Sequence, residues 1–212
     1  MARCRACDLI NYTATKTTIA EGARMNRFLA TLILCGLSSA AFAAHSHASH
    51  GFKLTSTAFT AHGTLADEQV FNSFGCSGKN LSPALHWSGA PQGTQSFALM
   101  VYDPDAPTGS GWWHWVVYNI PPSVTALPEH AGDATGQLLP AGAAQGRTDF
   151  GTPGFGGACP PVGDKPHRYI LTVYALKSEK IDVPADSTAA MVGFMLHANE
   201  LAKASITAHY GR

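Results

Sequence analysis

From Phe52 onward, hydrophobic and polar residues alternate mostly with a period of two. Four segments carry the pattern: 52–59, 96–102, 114–120 and 168–176. They are rich in β-branched and aromatic residues and are bounded by Gly and Pro, which predicts strands. Near the end the period lengthens. Asp186 or Ser187 is placed to cap a helix over Thr188 to Lys203, with Met191, Phe194, Met195 and Leu201 as its apolar stripe. A short strand, Ala204 to His209, closes the pattern. Several strands and one late helix predict a mainly β chain: an antiparallel sheet architecture with the helix packed at its edge. Long Pro/Gly loops at 75–93, 103–113, 121–165 and 177–186 separate the strands. Loops of that length in a compact domain are usually functional.

The first fifty residues follow another pattern. Met25-Asn26-Arg27, the apolar run Phe28 to Leu37 and a small-residue end through Ala43 have the layout of a secretory signal over 25–43. The run is too short for a membrane span, which needs about 20 apolar residues. Residues 1–24 then read as an upstream extension, with Met25 as the start. Residues 44–51 read as a mobile tail. Its histidines, His45, His47 and His50, offer Cu²⁺ or Ni²⁺ chelation as the lesser alternative. The expected destination is the periplasm.

Composition narrows the function classes. With 45% hydrophobic residues in 212, the chain can bury one substantial core, which predicts one domain over 52–212. Residues 1–43 hold five of the fourteen basic and two of the fourteen acidic residues, leaving nine against twelve. A mildly acidic chain lacks the basic excess of a nucleic-acid binder and the polybasic patch that holds proteins on anionic membranes. Of five cysteines only Cys76 and Cys159 follow the signal. An even pair in an oxidising compartment reads as a disulfide, with free thiols or a metal pair with histidine as the competing readings.

Two stretches carry the chemistry. In Asp103-Pro104-Asp105-Ala106-Pro107 each proline restricts itself and the residue before it, so two carboxylates are held with little further ordering. In Trp112-Trp113-His114-Trp115 an imidazole sits among indoles, a setting that depresses its pKa unless an acid such as Asp103 offsets the burial. A packed core histidine bonded to backbone is the alternative. The run Phe155-Gly156-Gly157-Ala158-Cys159-Pro160-Pro161 has small residues that let a ligand approach the main chain, and successive N–H groups that can form an anion-binding nest. His167 and Tyr169 flank Arg168 and share a face by strand period. Signatures of nucleophilic, zinc, phosphate-loop and dinucleotide chemistry are absent from the sequence.

The run from Asp103 through Trp115, the Gly157-Ala-Cys-Pro-Pro-Val-Gly loop and His167-Arg-Tyr together resemble the phosphatidylethanolamine-binding proteins, and within them the bacterial Raf-kinase-inhibitor-like branch. The resemblance spans roughly Phe52 to Arg212. It implies an antiparallel β-sandwich with a few peripheral helices, and a small pocket for phosphate-type anions or phosphoryl head groups. By motif match Asp103, Asp105, His114, His167 and Tyr169 fall on pocket positions, with Gly157 and Pro161 on the wall. Many relatives carry Gly-Pro-Pro where this chain has Cys159-Pro160-Pro161. A bond from Cys159 to Cys76 would staple that loop rather than block it.

The expected function is therefore periplasmic binding of phosphate or a small phosphorylated ligand, with no covalent chemistry, no cofactor and no metal. A protein-interaction or inhibitor module is the second reading, and a weak phosphomonoester hydrolase the third. Trp112 or Trp113 is a candidate homodimer surface, with internal packing as the competing account.

Overall fold

Lys53–Ser56 (β1) and Leu85–Ser88 (β2) begin a small antiparallel sheet, which Ala126–Leu127 (β5) completes in the order β1-β2-β5. A larger sheet is built from Ser96–Asp103 (β3), Trp112–Ile120 (β4), Ala144–Gln145 (β6), His167–Leu176 (β7) and Glu200–Tyr210 (β8). Its order is β6-β4-β3-β7-β8, with every neighbouring pair antiparallel. This is a computed structural model, and residues 51–212 are described. The expectations for the extension, the signal and the tail through His50 fall outside those residues. Among the described residues no helix is long and apolar enough to cross a membrane.

The two sheets face each other across the main core, as a sandwich does. Leu54, Leu85, Trp87 and Leu127 of the small sheet meet Phe97, Leu99, Trp115, Val117 and Leu171 of the large one. Trp87 lies edge-on to Phe97, ring centres 5.5 Å apart. Burying each side chain of this size contributes about 1.5–3 kcal/mol, so this layer supplies most of the holding energy. The other face of the large sheet buries Ala98, Met100, Val116 and Tyr118 against Val192 and Leu196 of the single described α-helix, Ala189–Asn199 (α1). β3 is central and covered on both sides, which is why it reads as a nearly continuous apolar run.

Strict alternation breaks twice in β4, once between Val117 and Ile120 and once at His114, and the second break matters. Val101 pairs with Trp115 but the next residue, Tyr102, pairs with Trp113, so β4 carries one extra residue at His114. A bulge of this kind re-aims the following side chains. Trp115 and His114 consequently lie on the small-sheet side, while Trp113 joins the helix-side packing.

The sequence reading needs correction at several places. The strand at 85–88 and the two-residue strands at 126–127 and 144–145 lie inside stretches expected to be loops. The helix is capped by the Thr188 hydroxyl, which accepts from the Met191 amide, rather than by Asp186 or Ser187. It ends at Asn199 because residues from Glu200 pair along β7 from Leu176 to His167, so tertiary pairing overrides the helical pattern of 200–203. Of the predicted stripe only Met195 packs against the sheet. The helix buries Ala189, Val192 and Leu196, whereas Met191, Phe194 and Leu201 are exposed.

Candidate functional site

The three central strands of the large sheet run beyond the cover of the small sheet, and polar side chains follow the apolar ones there. Along β3 the inward series Phe97, Leu99, Val101 is continued by Asp103. Along β7, Val173 and Leu171 give way to Tyr169 and His167. The bulge brings His114 in from β4. These four line one partly open cavity of about 190 Å³, whose walls include Ala106, Pro107, Trp112, Phe150, Gly157, Cys159 and Pro161. Its walls are mainly apolar and its polar groups sit together on the sheet.

Asp103 and His167 are both buried, and the Nδ1–H of His167 donates to Asp103 Oδ2 over 2.8 Å. The other carboxylate oxygen, Oδ1, accepts from the Asp105 amide at 2.8 Å, so the Asp-Pro-Asp turn closes back on its own first residue. The second ring nitrogen of His167 lies 3.4 Å from Asp164. The imidazole is thereby held between two acids.

Asp105 departs from expectation. Its carboxylate does not line the cavity and instead takes two hydrogen bonds from the Arg168 guanidinium, at 2.7 and 2.8 Å, and one from the Arg168 amide at 2.9 Å. Bonding to Arg168 lowers the Asp105 carboxyl to about 2. Alternation explains the outcome. Arg168 points away from the face shared by His167 and Tyr169, and Asp105 follows it outward.

The Nδ1 of His114 lies 2.7 Å from the Gly156 carbonyl oxygen. A carbonyl only accepts, so Nδ1 carries the hydrogen. Burial pushes the imidazole pKa below its ordinary value, and this outweighs the Gly156 and Gly157 carbonyls and the negative charges of Asp103 and Asp149, which favour the cation. The expected offset by Asp103 is thus present but insufficient, because that carboxylate is bonded to His167. The ring lines the cavity. The Tyr169 ring meets the imidazole edge-on at 5.1 Å. Its buried hydroxyl has no hydrogen-bonding partner, and burial followed by the Asp103 charge raises its pKa, with the Cys159 amide beside it acting in the opposite sense.

The glycine run is built for packing rather than as an open nest. The amides of Phe155, Gly156, Gly157 and Ala158 donate to Gly132 O, His114 O, Asn80 Oδ1 and Gln69 O. A Cβ on Gly157 would stand 2.5 Å from the Gln69 carbonyl oxygen, and one on Gly156 would enter the Phe150 ring. The cost of leaving those donors unpaired explains why the loop spends them internally. Cys159 is bonded to Cys76, 83 residues away, so the cavity wall is stapled to the loop bearing Phe74. Arg212 braces the same wall, donating to Pro160 O and Gly75 O at 2.7 Å each. Sequence reasoning missed Phe74, Phe150 and Asn80, which sit in aperiodic loops. Trp112 is half-buried on the cavity wall against Phe150, and Trp113 packs on Tyr102. Among the described residues no group of three acidic, His or Cys side chains is arranged to hold a metal ion.

The sequence and the fold both match known proteins. The family model for phosphatidylethanolamine-binding protein matches residues 55–211. The chain belongs to that family. It is 57% identical over 170 residues to the UPF0098 protein YbcL of Escherichia coli, covering 80% of this chain and 93% of that one. It is 52% identical over 146 residues to YbhB of the same organism, covering 69% and 91%. The crystal structure of E. coli YbcL, described as a new member of the mammalian PEBP family, superposes with a TM-score of 0.75 at 58% identity, covering 76% of this chain and 98% of that one. The homologue CT736 from Chlamydia trachomatis gives 0.65 at 30% identity, covering 77% and 99%.

Proposed function

We propose that the cavity binds phosphate-type anions, free or as the phosphorylated head group of a small ligand, and does so without covalent chemistry in the periplasm. The observation that carries this reading is the convergence of Asp103, His114, His167 and Tyr169, from three adjacent strands, on one small cavity. The Tyr169 hydroxyl is a donor suited to an anion's oxygen, and a charge-assisted hydrogen bond of this kind contributes about 1.5–3 kcal/mol. The apolar walls around a buried polar floor suit a compact head group. Family membership supports the reading, since the family is named for a phospholipid. The lining also lacks an activated nucleophile. The Thr108 hydroxyl donates to Gly111 O, and the Cys159 sulfur is in the disulfide. The disulfide in turn suits an exported protein.

Titration of the full chain with inorganic phosphate and O-phosphorylethanolamine, followed by NMR, tests the proposal. Amide signals near 103, 114 and 159 move in a saturable way, and Asp103→Ala abolishes the movement. Unchanged spectra at millimolar phosphate would overturn it. The interaction-module reading has the exposed Met191, Phe194 and Leu201 in its favour. A partner held there would bind Asp103→Ala as tightly as the unaltered protein.

A further inference from the structure

Outside the cavity, two imidazoles meet at the edge of the large sheet. His209 lies on β8 and His62 on the segment that runs along its outer edge, with ring centres 6.1 Å apart. Both backbone positions are pinned. The His62 amide donates to Thr207 O at 2.6 Å, and the His209 amide donates to Gly63 O at 2.8 Å. His62 takes the left-handed conformation at φ 61°, and Thr64 then bridges to His209. A pair of side chains carried on fixed backbone is pre-organised for a shared ligand.

One of the two rings has its tautomer set. His209 Nδ1 lies 3.3 Å from the His62 carbonyl oxygen, and a carbonyl only accepts, so Nδ1 carries the hydrogen and Nε2 the lone pair. Metal-binding histidines show the same arrangement: one nitrogen donates to a carbonyl or carboxylate and the other coordinates. His62 is exposed, so its ring is free to turn a nitrogen toward an ion. Two rings bound through nitrogens about 2.1 Å from one ion have centres roughly 5 to 6.5 Å apart, from tetrahedral to trans geometry. The observed separation falls within that range. Asp164 and Arg212 are the charged residues of the open groove that holds both rings. The Arg212 guanidinium is spent on Pro160 O and Gly75 O, whereas the Asp164 carboxylate is partly exposed and adds negative charge nearby.

We propose that His62 and His209 form a surface site for a divalent first-row transition ion, with water in the remaining positions. Imidazole suits Cu²⁺, Ni²⁺ and Zn²⁺, and the affinity order along that row puts Cu²⁺ first. With two protein ligands the site is open and exchangeable, unlike the closed four-ligand sites that hold a fold together.

The test adds Cu²⁺ to the isotope-labelled full chain in which His45, His47 and His50 are replaced by alanine, which removes the competing imidazoles of the N-terminal segment. The amide signals of residues 62–64 and 207–210 broaden in a saturable way, because the unpaired electron relaxes nuclei close to it. His62→Asn keeps a residue that tolerates the left-handed turn. That variant and His209→Gln each raise the Cu²⁺ concentration needed for the broadening by about tenfold or more. His86→Ala, at an exposed histidine on β2, leaves it unchanged. Retained signal dispersion verifies that each variant is folded, and if one is not, the other decides. Sharp signals at 62–64 and 207–210 in excess Cu²⁺, or broadening there that survives the substitutions, would overturn the proposal.

Discussion

The two faces of the five-stranded sheet are made by the same strands and do different work. On the helix side, Ala98, Met100, Val116 and Tyr118 form a layer sealed by Val192 and Leu196. The polar side chain beside Met100, Thr172, is matched within the protein by a 2.8 Å hydrogen bond with Ser205. On the opposite side the apolar series runs as far as the small sheet reaches and then ends in Asp103, His114, His167 and Tyr169. Loops rather than a sheet cover that end, so buried polar groups there border a cavity and need not be matched wholly within the protein. The difference is one of cover. The chain keeps its acids and imidazoles where packing stops, and its stabilising layers elsewhere, so stability and binding should respond to different substitutions.

The largest expected effect tests the stapled cover. Replacing Cys76 and Cys159 together by serine opens a loop of 83 residues, which the chain-entropy account values at about 4.5 kcal/mol. Urea denaturation checks the loss, and a weakened phosphate response in the still-folded fraction would show that the staple also shapes the cavity. Next comes the sealed face. Leu196→Ala removes a fully buried side chain and costs about 3 kcal/mol of unfolding free energy, with phosphate affinity unchanged. A large loss of affinity in that variant would erase the distinction between the faces. Asp103→Ala is the converse. It costs about 2 kcal/mol, softened because water entering the cavity can solvate His167, and it removes the phosphate response altogether.

The smallest effect lies on the rim. Asp105 titrates at about 2 when folded and near 4 when unfolded, so its ion pair stabilises the protein above about pH 4 and the contribution is lost as pH falls towards 2. Because Arg168 is exposed, the value is under about 1 kcal/mol. Arg168→Ala should flatten this acid limb in a pH series of thermal melts and leave phosphate binding in place, which marks Asp105 as a bracing residue outside the cavity.

Much of this arrangement was legible in sequence where a regular period continued into the polar residues. Asp103 extends β3, and His167 with Tyr169 opens β7, so their shared side follows from alternation. β2 was hidden because its four residues lie between Pro83 and Gly89 in a stretch dominated by turn formers. The end of α1 was obscured because pairing with β7, a long-range interaction, decides the state of Glu200 to Lys203. His114 was the harder case. Plain alternation from Val116 puts it on the helix side, and only the pairing partners reveal the extra residue. The proposed nest failed for a related reason. Whether an amide is free depends on acceptors such as Asn80 and Gln69, distant in sequence, and no local pattern announces them.

The extra residue in β4 has a consequence for engineering and for comparison across relatives. A strand of strict period can present either Trp115 or His114 to the small-sheet side, never both, since one anchors the hydrophobic interior and the other supplies the cavity's imidazole. Length therefore belongs to the recognition apparatus as much as residue identity does. A homologue retaining every side chain of this segment but shorter by one position would have to give up either its core tryptophan or its ligand-facing ring.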